Sequence, residues 1–166
     1  MFSIKSFAVI ALPAACILLT ACPQRDNTNF CMTDLSCRKA AEQGNANAQY
    51  NLGVIYDTGF GVDQDDAQAA FWFRKAAEQG NADAQFCIGE MYEDGRGVTK
   101  NYAQALFWYH KAAEQGNAAG QYGLGELYRT GKGVTRDNTQ AKFWYGKAAA
   151  QGNADAQEIL NEMKNH

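Results

Sequence analysis

From residue 45 onward the apolar positions fall at helical spacing, and the whole pattern then returns. Ala48, Leu52 and Tyr56 lie four residues apart; Ala84, Ile88 and Tyr92, then Gly120, Leu124 and Tyr128, repeat the stripe. Four-residue steps put each set on one face of a helix. A second stripe alternates with the first: Ala69, Trp72 and Ala76, then Ala105, Trp108 and Ala112, then Ala141, Trp144 and Ala148. The stretch Lys75-Ala76-Ala77-Glu78-Gln79-Gly80-Asn81-Ala82 closes the second stripe. It returns as Lys111 to Ala118 and, with small changes, as Lys39 to Ala46 and Lys147 to Ala154, always 36 residues apart. A fixed period of roughly 20–50 residues means stacked supersecondary units. Each unit is predicted to be a pair of helices, A and B.

Polar residues mark the helix ends. Asn45, Asn81, Asn117 and Asn153 precede helix A, where an Asn side chain caps free N–H groups. Asp83 and Asp155 follow in the first turn, favourable against the helix dipole. Helix A is predicted to end at the first glycine of Gly59-Phe60-Gly61-Val62, Gly95-Arg96-Gly97-Val98 and Gly131-Lys132-Gly133-Val134, with the valine returning to the core. Helix B opens at Asp65, Asn101 and Asp137, each with Gln three residues on, a capping-box pattern. The thrice-repeated Gly-x-Gly lacks the further Gly or Gly-Lys-Ser/Thr of a phosphate loop and reads as a turn. Gly53, Gly89 and Gly125 sit inside helix A, where Gly costs about 1 kcal/mol relative to Ala. Their return implies close helix–helix contact.

Taken together, Ala…Leu-Gly-x-x-Tyr…Gly-x-Gly-Val…Asp…Ala…Trp…Lys-Ala-Ala…Gln-Gly resembles the Sel-1-like repeat family, relatives of the tetratricopeptide solenoids. The resemblance implies an all-α fold, a right-handed α-α solenoid of about three and a half helix-turn-helix repeats. Complete units run over 45–80, 81–116 and 117–152. Residues 29–44 match a lone helix B, and 153–166 form a C-terminal capping helix in which Glu158, Asn161 and Lys164 replace Tyr, Gly and Tyr. Polar terminal repeats close a solenoid. One branch of the family is cysteine-rich, with disulfides joining the end of helix B to the next helix A. The matching positions here are Ala41 and Gln49, Ala77 and Gln85, Ala113 and Gln121, so this chain departs from that branch.

The first 21 residues have a different character. Lys5 and the apolar run Phe7 to Leu19, too short for a permanent span, end in Leu19-Thr20-Ala21-Cys22. This resembles a bacterial lipobox and implies a signal peptide over 1–21, lipidation at Cys22 and a tether over 22–28. Pro23 rather than Asp follows the cysteine. By that resemblance the expected place is the outer membrane, facing the periplasm, with the lipid anchor as the one contact to the membrane. Cys31, Cys37 and Cys87 leave their pairing open. If Cys31 and Cys37 share one helix they lie about 9 Å apart along its axis, too far to bridge.

The chemistry is sparse. With formal charge −3 and no basic stripe, nucleic acid is not an expected partner. Beyond the leader the chain has one serine, Ser36, and two histidines, His110 and His166, and no cluster with metal spacing. Ser36-Cys37-Arg38-Lys39 matches Ser-x-x-Lys, but no Ser-Asp-Asn or Lys-Thr-Gly accompanies it, and Lys39 is the repeat lysine. A β-lactam- or peptidoglycan-acting hydrolase is therefore the weaker reading; no catalytic residue and no cofactor is expected.

In tetratricopeptide-like solenoids helix A lines a concave groove. Its variable positions are Asn47, Asn51, Val54 and Thr58; Asp83, Cys87, Glu90 and Asp94; Ala119, Gly123, Glu126 and Thr130, with Tyr50, Phe86 and Tyr122 beside them. Asp83, Glu90, Glu93, Asp94 and Glu126 make the middle and third units acidic, suited to a basic segment of a protein partner. The expected function is non-catalytic protein binding. Within the family, immunity proteins against type VI secretion phospholipase effectors and envelope stress or virulence adaptors are both precedents.

Overall fold

The computed structural model describes residues 35–164, so the leader, Cys22, the tether and residues 29–34 of the expected first helix lie outside the described residues. Among the described residues there are eight helices: α1 (Leu35–Glu42), α2 (Ala46–Thr58), α3 (Asp66–Glu78), α4 (Ala82–Asp94), α5 (Tyr102–Glu114), α6 (Ala118–Thr130), α7 (Asn138–Ala150) and α8 (Ala154–Glu162). Helices α2, α4, α6 and α8 are the A helices; α1, α3, α5 and α7 are the B helices. Each packs on its neighbours in sequence, giving an α-α solenoid whose core lies between successive units.

The caps form where the sequence places them. Asn45, Asn81, Asn117 and Asn153 accept through Oδ1 from the N–H of Ala48, Ala84, Gly120 and Ala156. Gly59, Gly95 and Gly131 take the left-handed conformation and end the A helices. At helix B only half of the capping box forms. Asp65, Asn101 and Asp137 accept from the N–H of Gln68, Gln104 and Gln140. Their own N–H groups are already donated to the carbonyls of Tyr56, Tyr92 and Tyr128 in the preceding helix A, which leaves nothing for the glutamine side chains to accept.

Two glycine positions show why the repeat needs them. A Cβ on Gly89 would stand 2.6 Å from the Tyr109 ring, and Gly53 and Gly125 face Phe73 and Tyr145 in the same way. The aromatic ring of helix B therefore lies directly on the backbone of helix A. Gly97, at positive φ, presses its backbone on the start of α3, where an added Cβ would come within 2.0 Å of the Asp66 carbonyl oxygen. The second glycine of Gly-x-Gly thus seats one unit on the last. The valines after it do not all return to the core. Val98 and Val134 pack against the clusters around Ala69 and Ala105, whereas Val62 is exposed.

Trp108 and Trp144 are buried and Trp72 is half-buried. In α8 Ala156 is buried while Glu158, Asn161 and the following Lys164 are exposed. Among the described residues no helix is long and apolar enough to cross a membrane.

Candidate functional site

The predicted groove residues fall on the A helices, but they are not equally available. Asn47 and Asp94 are exposed; Tyr50, Asn51, Val54, Asp83, Phe86, Glu90, Tyr122 and Glu126 are half-buried. Cys87 departs from the expectation: it is 1% exposed and disulfide-bonded, so it presents no surface to a guest. Gly123 is buried too, its backbone against the face of Tyr109. The aromatic series packs within its own unit: Tyr50 on Phe73, Phe86 on Tyr109 and Tyr122 on Tyr145, with ring centroids 5.9, 5.7 and 5.8 Å apart.

Most of the acidic side chains are already answered by neighbours. Asp83 accepts from Asn117 Nδ2 at 2.8 Å, just as Asn47 accepts from Asn81. Asp94 Oδ2 stands 4.0 Å from Arg96 Nε. Arg96 also reaches back to Asp57 at 2.6 Å, and Lys132 reaches Glu93 at 3.2 Å, one ion pair for each step between units. These pairs lie 39 residues apart, and opposite charges recurring at that offset were a signal the sequence carried.

The third unit holds a closed triad. Arg129 donates from Nη2 to Glu126 Oε2 at 2.6 Å and from Nε to the Tyr145 hydroxyl at 3.2 Å, and that hydroxyl donates to Glu126. Burial works against the Glu126 charge, but the hydrogen bonds from Arg129 and Tyr145 outweigh it and hold its carboxyl below the usual range. One period earlier the same three places hold Glu90, Glu93 and Tyr109. Here a second carboxylate stands where the guanidinium would be. Glu93 takes the Tyr109 hydroxyl at 3.1 Å and the Lys132 ammonium, and Glu90 Oε2 is left buried with no hydrogen-bond partner. Desolvation pushes the Glu90 carboxyl up to about 8 despite the nearby Arg96. The carboxyl therefore keeps its proton at neutral pH and can give it up to a cation from elsewhere.

Of the candidates for catalysis, His110 and Lys39 lie among the described residues. His110 lies 3.3 Å from Glu114 one turn on and packs edge-on against Trp144. Lys39 is exposed on α1, in register with Lys75, Lys111 and Lys147. The side chain of Ser36 and all of His166 lie outside the described residues.

The Sel1 repeat family model matches residues 37–45, 46–81, 82–117 and 118–153. The chain belongs to the Sel1 repeat family. Such repeats mediate protein–protein interaction and are typically non-catalytic scaffolds. Among solved structures, the chain is similar to c5321, a protective antigen of uropathogenic Escherichia coli with an SLR fold, at 47% identity and TM-score 0.75. The match covers 76% of this chain but 27% of that one, so this Sel1 chain spans about a quarter of its relative. A Sel1 repeat protein from Oxalobacter formigenes matches at 42% identity and TM-score 0.70, covering 76% of this chain and 96% of that one. Helicobacter pylori cysteine rich protein B matches at 26% identity and TM-score 0.58, covering 75% and 95%. No match is found among curated proteins.

Proposed function

We propose that this Sel1 repeat chain is a non-catalytic binding module of the bacterial envelope. It holds a basic segment of a partner protein against the concave face of its A helices and is tethered by lipid at Cys22. The observation that carries the groove reading is Glu90, whose Oε2 has no hydrogen-bond partner while its counterpart Glu126 is bonded by Arg129. A lysine or arginine of the guest would take the place that Arg129 fills in the third unit. The partner fitting both this chemistry and the family precedent is a secreted effector, a phospholipase in the immunity reading. The lipobox-like Leu19 to Cys22 supports an outer-membrane anchor facing the periplasm.

The test is capture from envelope and secreted fractions with the purified full-length chain, Glu90→Lys and, as an outer-face control, Lys111→Gln. One stoichiometric protein retained by the first and third and lost by Glu90→Lys is the expected result. Equal recovery on all three would end the groove reading.

A further inference from the structure

The helix faces turned away from the groove carry a second pattern. Phe71, Phe107 and Phe143 are 47, 48 and 51% exposed, one in each complete unit at the same helical place. Each meets the neighbouring tryptophan edge to face, with centroids 5.0, 4.9 and 5.0 Å apart. Each also lies under the ammonium of the lysine one turn on. Lys75 Nζ is 5.1 Å from the Phe71 ring, Lys111 Nζ 5.2 Å from Phe107 and Lys147 Nζ 4.7 Å from Phe143. The tryptophans already fill the space between units, so packing does not require a phenyl outside them. A polar residue would serve an exposed helix site. One exposed apolar side chain is ordinary; three in register on one face mark a contact surface.

We propose that the outer face of α3, α5 and α7 lies on an anionic lipid bilayer, the three phenyl rings entering the interface and the three lysines meeting phosphate. Two features choose this occupant. The first is charge. In a chain of formal charge −3, each ring has an exposed lysine one turn on, Lys75, Lys111 or Lys147, and the next turn carries Glu78, Glu114 and, in the third unit, uncharged Ala150. Paired aromatic and basic side chains suit the headgroup boundary, one part apolar and the other cationic. The second is periodicity. The same phenyl–ammonium pair at every step fits a partner that is the same at every step, as a headgroup layer is and a non-repetitive protein surface is not. This contact is additional to the lipid anchor expected at Cys22 and independent of the groove.

The three tryptophans of the chain, Trp72, Trp108 and Trp144, all touch these rings and serve as probes. Full-length protein is mixed with phosphatidylglycerol/phosphatidylethanolamine vesicles, with or without bromine on the acyl chains, and tryptophan emission is read. Bromine quenches only at short range, so the expected result is an emission ratio lowered about twofold, as for rings at interfacial depth. It should return to one in phosphatidylcholine vesicles and in Phe71→Ser/Phe107→Ser/Phe143→Ser, with helix content unchanged by circular dichroism. Lys75→Gln/Lys111→Gln/Lys147→Gln should abolish the preference for the anionic lipid. Equal emission in brominated and plain anionic vesicles overturns the proposal, as does quenching that survives loss of the phenyls. Phenyl-dependent self-association without quenching overturns it in favour of a second copy of the chain.

Discussion

Gln85 donates from Nε2 to the carbonyl of Ala77 at 3.0 Å, joining helix A of one unit to the end of helix B in the unit before. Its Oε1 accepts from Gln115 at 2.7 Å, and Gln49 and Gln121 repeat both bonds with Ala41 and Gln79, and with Ala113 and Gln151. These are the positions at which the cysteine-rich branch carries its disulfides. A buried amide ladder makes the same connection here without a covalent link.

Replacing Gln85 with Leu removes the amide that links Ala77 to Gln115; the Ala77 carbonyl keeps the Gly80 N–H, while Gln115 Nε2 loses its acceptor. Each lost hydrogen bond costs about 0.5–1.5 kcal/mol. Urea unfolding of Gln85→Leu should show that loss, and an unchanged midpoint would mean that the ladder adds nothing.

Gly89 and Gly146 predict opposite signs for one substitution. Gly89→Ala drives a methyl to 2.6 Å from the Tyr109 ring, whereas Gly146 has nothing within 4 Å. Overpacking should destabilise the first by about 1–3 kcal/mol, while helix propensity should stabilise the second by about 0.5–1 kcal/mol. Thermal melts of the pair decide it: both shifting in the same direction would contradict the ring-on-backbone contact.

Glu90 gives a pH dependence with a definite sign. Its folded value of about 8 lies above its ordinary 4.5, so the folded chain holds this proton more tightly than the unfolded one. The associated stability is complete below about 4.5 and is lost as pH rises through about 8. Glu90→Gln does not titrate there. Its melting temperature should match the parent at low pH and exceed it by several degrees above the folded value. A difference that stays flat across this range would show that the carboxyl ionises freely.

The same proton bears on binding. A guest cation favours the charged carboxylate and must drive the proton off, so affinity for a lysine- or arginine-bearing peptide should rise with pH until about 8. Isothermal titration in buffers of different ionisation enthalpy would show proton release on binding. Its absence, with the affinity independent of pH, would place the guest's charge elsewhere.

The sequence alone determined the local structure and the period. The four Asn caps, the left-handed Gly59, Gly95 and Gly131 and the Leu/Ile/Trp stripes act within one turn or one helix, where residue type suffices. It marked Gly89 as a close approach but could not say what approached. Tertiary structure decided which side chains answer one another between helices and between units, at separations of 16, 30, 34 and 39 residues. The acidic positions of the A helices became a set of satisfied carboxylates with Glu90 left over, because Asn117 and Lys132 reach back from the following unit and Arg96 and Arg129 answer Asp94 and Glu126 within their own. Cys87 moved from the surface to the interior for a similar reason. The period fixes a residue's place on its helix, and the stacking of neighbouring units fixes whether solvent or another chain can reach it.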